Sequence, residues 1–252
     1  MERLFRKLIP FVGLIALILA GAAAATAQSA RFTAVSQHGT SVGTASFNIA
    51  SNAAGYDSTS LVHVNMQGLK YALSKTEKLS PARKLVHVQL SGLINSSAVN
   101  VVAKPDGQQL LVNISANGRS TTTRLTGHER AVFLPDFDPG ALETLLQIAA
   151  KNNNRDLWAI IPKQAGSVAP IQLATYPDEK GTLDGKPIGV HHLVATIAGA
   201  QTDLFSGPDG ELLQAELQGP GFALVRNGFV LTPPAKPIAP PAAPSTPSQP
   251  SK

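Results

Sequence analysis

The most constraining feature of the sequence is a series of short strand-like segments between residues 182 and 232, separated by sequences that favour tight turns. The turn sequences are Gly207-Pro208-Asp209-Gly210, Gly219-Pro220-Gly221 and Asn227-Gly228. Proline presets the backbone for a turn, glycine accepts a positive φ, and Asn-Gly is a strong hairpin signal. We therefore predict a meander of antiparallel strands, V-H-H-L-V-A-T-I-A, T-D-L-F-S, E-L-L-Q-A-E-L, F-A-L-V-R and F-V-L-T, as the core of a single β domain.

The first residues have the composition of a secretory signal peptide. Arg3, Arg6 and Lys7 precede an uncharged stretch from Leu8 to Ala25, and Ala25-Thr26-Ala27 places small residues where signal peptidase cleaves. An uncleaved anchor is the alternative, but the uncharged stretch is at the short end for a bilayer span of roughly 17–25 residues. We expect export, cleavage after Ala27, a periplasmic or secreted protein, and no membrane span after cleavage.

Charge and cysteine content exclude several classes of protein. Residues 1–27 hold three basic residues and one acidic residue, so cleavage lowers the formal net charge from +5 to +3. The remaining basic residues are scattered, so we expect no nucleic-acid partner. The chain has no cysteine, which excludes disulfides and a lipidated N-terminal cysteine. Burial and strand pairing must therefore stabilise a domain over residues 28–232.

Two nearly identical segments lie in the first half of the chain: L-V-H-V-N-M-Q-G-L (61–69) and L-V-H-V-Q-L-S-G-L (85–93). Strict alternation is typical of a strand with one buried face. We predict that Val62, Val64 and Met66 share one face, as do Val86, Val88 and Leu90, and that Leu61 and His63 lie opposite. Two copies are too few for a repeat architecture.

One segment has helical periodicity. Asp138 is a good N-cap and Pro139 fits the first helical position. An apolar stripe follows at helical spacing, and Asn152-Asn153-Asn154 ends the segment. The sequence therefore predicts a mainly β fold, a large curved antiparallel sheet or half-barrel with one covering amphipathic helix at about residues 139–151; the stripe consists of Leu142, Leu145, Leu146 and Ala149.

Other segments define the edges of this domain. Residues 131–134 and 157–161 resemble buried strands on either side of the helix, whereas R-S-T-T-T-R-L-T (119–126) is polar enough for an edge strand. From residue 233 to residue 252 the chain is rich in proline and has too few apolar residues to bury a core. We expect a disordered tail there, with a spacer or a docking segment in the cell wall as the functional alternative.

The sequence gives little support for catalysis or metal binding. It contains no S-x-x-K, no H-E-x-x-H and no phosphate-binding glycine loop. His63 and His87 occupy equivalent repeat positions and could lie near each other, but His191 and His192 are adjacent and point to opposite faces of a strand. We therefore predict no catalytic residue, no metal and no cofactor, and leave an unrecognised hydrolase as a remote alternative.

An apolar binding site is better motivated. A curved sheet with a helix above it can enclose a cavity, and cavities in β folds often hold apolar ligands. The alternative is that the same residues close on one another as an ordinary core. The predicted lining residues are Val62, Val64, Met66, Val86, Val88, Leu90, Leu142, Leu145, Leu146 and Trp158.

The signal peptide, the consecutive strands and the covering helix together resemble the periplasmic lipoprotein-carrier half-barrels of the LolA/LolB/LppX type. The ending G-P-D-G-E-L-L-Q-A-E-L…F-A-L-V-R-N-G-F-V-L is similar to the last strands of exported β proteins of that kind. The resemblance spans residues 31–232, is architectural, and implies an envelope protein that shields lipid or lipoprotein acyl chains. The alternative is a structural or interaction domain that binds envelope proteins or the cell wall through strand edges and the proline-rich tail.

Overall fold

The computed structural model describes residues 27–163 and 165–233. Residues 1–26 and 234–252 lie outside the described residues, and so do the predictions of a signal peptide and of a disordered proline-rich tail. The strands are β1 (Ala27–Ser36), β2 (Ser41–Asn52), β3 (Gly55–Met66), β4 (Leu69–Leu79), β5 (Leu85–Ile94), β6 (Ser97–Asp106), β7 (Gln109–Ala116), β8 (Arg119–Thr126), β9 (Ala131–Phe133), β10 (Leu157–Ile161), β11 (Ser167–Thr175), β12 (Glu179–Leu183), β13 (Lys186–Ile197), β14 (Ala200–Ser206), β15 (Leu212–Leu217), β16 (Phe222–Arg226) and β17 (Phe229–Leu231), and the helix is α1 (Pro139–Lys151).

The strands form one large, open, curved sheet, which confirms the predicted fold class. Its strands lie in the order β8-β7-β6-β5-β4-β3-β2-β1-β16-β15-β14-β13-β11-β10-β9. β12 pairs with β13 and with β17 beside this row. Most connections are hairpins with glycine or asparagine at positive φ, so long neighbouring strands pair in register.

The helix connects the two strands that pair in parallel. β9 and β10 run side by side with Ala131 opposite Trp158, and a parallel pair requires a crossover connection. The sequence identified both segments as buried strands but did not predict their parallel pairing. α1 has the predicted bounds, is capped by Asp138, begins with proline and ends before Asn152. It packs against β2, β3, β9 and β15.

The helix defines two faces of the sheet. We call the covered side the inner face and the opposite side the outer face. Along β3 and β4, alternate residues such as Val62, Val64 and Leu73 are buried on the inner face with the stripe of α1. A smaller apolar cluster joins β13, β14, β15 and β17 and consists of Val190, Phe205, Leu213 and Phe229. The core therefore lies between the sheet and the helix, as the apolar alternation predicts.

The Asn227-Gly228 turn does not return β17 along β16. β16 pairs with β15 on one side and with β1 on the other, so β17 pairs instead with β12. The predicted hairpin is wrong because β1, distant in sequence, occupies the edge that β17 would need.

β8 has the polar, exposed character expected of an edge and pairs with β7.

No helix within the two described ranges has the length and apolar character needed to cross a membrane.

Candidate ligand-binding groove

Most residues predicted to line a cavity under the helix pack against one another instead. Val62, Val64, Val88 and Leu90 are buried in the main core. They share it with Leu142, Leu145 and Leu146 of α1. A cavity of about 60 Å³, lined in part by Tyr71 and Leu90, lies near this side, which is too small for a lipid chain. The space beneath α1 is thus filled as an ordinary core, the alternative left open by the sequence, and a groove of about 430 Å³ beside Leu85, Leu110 and Ile160 has no residue of α1 in its lining.

Three of the predicted residues lie elsewhere. Met66 and Trp158 are half-buried at the border of the core, and the Trp158 ring stacks on His128 with centroids 3.7 Å apart. Val86 is 48 % exposed while Leu85 is buried. A register shift between β4 and β5 at Leu79 and Leu85 interrupts the alternation, so the prediction that Val86 shares a face with Val88 is wrong.

The outer face contains a groove of about 810 Å³. Its floor is formed by two neighbouring rows of side chains that run across β1 to β5, and we call it the outer groove. One row consists of Arg31, Ser46, Leu61, Ser74 and Ser91, and the other of Thr44, His63, Ala72 and Leu93.

Small side chains create the depression. Leu61 has Ser46 and Ser74 as its cross-strand neighbours, and Leu93 has Ala72 as its neighbour on β4. Leu61 is 58 % exposed and Leu93 is 47 % exposed, so two large apolar side chains rise from a floor of serine, threonine and alanine. The volume falls within the roughly 300–1,000 Å³ typical of small-molecule sites.

The alternation in the repeat predicted that Leu61 and His63 lie on the face opposite Val62 and Val64. It did not predict that a groove forms on that face. Its shape depends on which residues of β1, β2, β4 and β5 stand next to Leu61, and that is a matter of strand register. The described lining of the groove contains no aspartate or glutamate, and Arg31 lies at one end beside Asn227.

The predicted histidine pair does not form. His63 lies opposite Ala72 and His87 lies opposite Lys78, six residues further along β4, which is about 20 Å. His192 is held between Glu179 (Nδ1–Oε1 3.4 Å) and Asp203 (Nε2–Oδ1 2.9 Å), while its neighbour His191 pairs with Asp178. Within the described part of the chain, no group of three or more His, Asp or Glu side chains could hold a metal ion.

A buried ionic cluster between β4 and the N-cap of α1 holds the start of the helix against the inner face. Lys75 Nζ is 2.6 Å from Asp138 Oδ2 and 3.0 Å from Glu77 Oε2. Burial alone would lower the pKa of Lys75, but the charges of Asp138 and Glu77 outweigh it and raise this pKa. Burial raises the pKa of Glu77 against the opposing effect of Lys75. A lysine held protonated in this way serves as an ion-pair partner rather than as a general base.

The alternation in β4 carried a signal for this cluster. Lys75 and Glu77 fall in the same period-two series as Tyr71, Leu73 and Leu79, all of which are buried. Charged residues in an inward series predict a buried ion pair, with its partner on whatever covers that face. Here the partner is Asp138, whose other oxygen accepts the N–H groups of Gly140 and Ala141.

A second buried carboxylate fixes the helix to β1 and β15. Glu143 accepts the N–H of Leu212 at 2.7 Å and the Nε2 groups of Gln28 and Gln147. Burial raises the pKa of Glu143, although these hydrogen bonds act in the opposite direction. Both buried acid clusters thus lie on the inner face, and they hold α1 in place.

Comparison of the chain with protein-family models, with curated proteins and with solved structures finds no match.

Proposed function

We propose that this protein is an exported, non-enzymatic β protein of the cell envelope that binds a lipid-like molecule in the outer groove. The basic start, the uncharged stretch and the small residues before Gln28 support export. The observation that carries the binding is the groove of about 810 Å³ with the exposed leucines Leu61 and Leu93 in its floor.

The outer face is a better place for the ligand than the space beneath the helix, because that space is already occupied by side chains. An acyl chain under the helix would have to displace Leu145 or Val64, which are almost completely buried. Interiors at native packing density resist such insertion. The outer groove needs no displacement of the core.

Burial of the leucines provides the driving force. Leu61 lies on β3 at the centre of the groove and Leu93 lies on β5 at the end opposite Arg31, and both strands are already paired on both sides. Covering apolar surface stabilises a complex by about 25 cal/mol per Å². The hydroxyls of Ser46 and Ser74 beside Leu61 are not engaged with charged groups, so the floor accepts either a methylene chain or a polar head.

The first test combines native mass spectrometry of the protein purified from its own envelope with equilibrium titration of the purified protein by dodecanol. We expect a co-purifying acyl species and saturable dodecanol binding. Leu61→Asp and Leu93→Asp place a charge in the groove and should abolish binding. Val230→Asp is the matched control, because Val230 is equally exposed but lies on β17 outside the groove.

Two outcomes contradict the proposal. Dodecanol binding that survives both leucine substitutions places the ligand elsewhere. Ligand-free protein that co-purifies as a stable oligomer or with an envelope protein, and that does not bind dodecanol, favours the interaction domain instead.

A further inference from the structure

Arg31 stands at the β16 end of the outer groove with no acidic partner among the described residues. Three other exposed basic residues do have one, since Arg124 pairs with Asp106, Arg130 with Asp156 and Lys84 with Glu129, whereas Arg119 on β8 does not. Arg31 is exposed on β1 and carries a permanent positive charge. Its guanidinium is therefore available to a ligand.

The groups around Arg31 are hydrogen-bonding and uncharged. Ser46 lies directly opposite it on β2, and Asn227 lies beside it after β16. Asn227 Oδ1 already accepts the hydroxyl of Thr33 at 3.1 Å, which leaves the side-chain NH₂ group of Asn227 as a donor. Two donors and a hydroxyl thus converge at this end of the groove.

Such a set of groups selects an anion. Carboxylate and phosphate accept from arginine in a bidentate fashion, and hydrogen bonds to charged groups are roughly twice as strong as neutral ones. A cationic head would meet Arg31 without any carboxylate in the groove lining to balance it. A neutral head would use the hydroxyls and the amide but not the charge.

We infer that the Arg31 end of the outer groove binds the acidic headgroup of an amphiphile whose chain lies over Leu61 and Leu93. This inference rests on the proposed function, because it assigns the head of the same ligand. Arg31 acts as the specificity-determining residue, Ser46 and Asn227 complete the head site, and carboxylate and phosphate share the chemistry that it recognises.

The test compares equilibrium affinities of the wild-type protein and Arg31→Gln for dodecanoate, dodecyl phosphate and dodecanol at neutral pH. We expect both anions to bind wild-type protein about tenfold or more tighter than the alcohol, as one charge-assisted contact predicts. Arg31→Gln should remove that advantage, because it should lower the affinity for both anions far more than the affinity for dodecanol. The stronger anion identifies the head as carboxylate or phosphate.

The control is Arg119→Gln, an exposed arginine on the edge strand β8, and it should bind all three compounds as the wild type does. Equal wild-type affinities for alcohol and anions would overturn the headgroup assignment and leave the proposed function standing. Unchanged anion binding in Arg31→Gln would also overturn it. Failure of all three compounds to bind would overturn the proposed function itself.

Discussion

Lys75 and Asp138 form an ion pair of 2.6 Å between side chains that have no solvent exposure. One residue lies in the middle of β4 and the other begins α1. The pair therefore connects the sheet to the first turn of its covering helix, at the point where the Asp138 carboxylate also caps the helix. The contact therefore helps to hold α1 over the inner face, together with the hydrogen bonds of Glu143 and the packing of the leucine stripe.

Replacing Lys75 with Met should destabilise the protein by about 3–5 kcal/mol, because Glu77 and Asp138 would remain buried without their cation. The measurement is the free energy of unfolding in urea. Lys78→Met, at an exposed position of the same strand, should change it by less than about 0.5 kcal/mol. Equal effects of the two substitutions would show that the ion pair does not hold the helix.

The two buried glutamates predict a dependence of stability on pH. Burial raises the folded pKa of Glu77 and of Glu143 above the unfolded value of about 4.3. A carboxyl whose pKa is higher in the folded protein than in the unfolded chain stabilises the folded protein at pH values below the unfolded pKa. This stabilisation is lost as the pH rises through the folded pKa, where the buried carboxyl must lose its proton. The free energy of unfolding should therefore fall from about pH 4 upward. Glu143→Gln should reduce this fall.

The comparison is between urea midpoints of the wild type, of Glu143→Gln and of Glu216→Gln, a half-exposed glutamate on β15. Glu216→Gln is the control for exchanging a glutamate for a glutamine outside the buried clusters. A wild-type profile unaltered by Glu143→Gln would mean that this carboxyl does not titrate differently in the folded state.

Leu145→Asp should destabilise the protein by several kcal/mol, on the order of the largest core truncations. Leu145 has no exposed surface, so the introduced carboxylate would be buried without a partner. Ala150→Asp is the matched control on the exposed side of α1. Thermal unfolding measures both, and an unchanged melting temperature for Leu145→Asp would refute the placement of the helix stripe.

Gly140→Ala should destabilise the protein by about 1–3 kcal/mol, as overpacking does. Replacing a glycine within a helix by alanine normally stabilises a protein by up to about 1 kcal/mol. Here the added Cβ would overlap the Ser60 hydroxyl and lie 3.1 Å from Phe47 Cβ. A stabilised variant would mean that the helix start is free to move away from β3.

The sequence predicted those parts of the structure that are determined by local signals. The Asp138-Pro139 cap and the leucine stripe lie within one segment, and the helix has the expected bounds. The alternation of β3 predicted which side of the strand is buried. These features depend on neighbours in the chain and are readable from it.

The parts that sequence reasoning missed depend on distant strands. Val86 turns outward because of a bulge against Leu79, and β17 leaves β16 because β1 takes the neighbouring edge. The outer groove exists because serine and alanine from other strands stand beside Leu61 and Leu93. Each depends on register between segments far apart in sequence.

The most direct test of the account is methyl-resolved NMR of the leucines and valines during titration with dodecanoate. We predict that the methyl signals of Leu61 and Leu93 shift saturably, whereas those of Leu145 and Val64 stay in place. Shifts at Leu145 and Val64 with Leu61 unchanged would place the ligand under the helix and contradict the account.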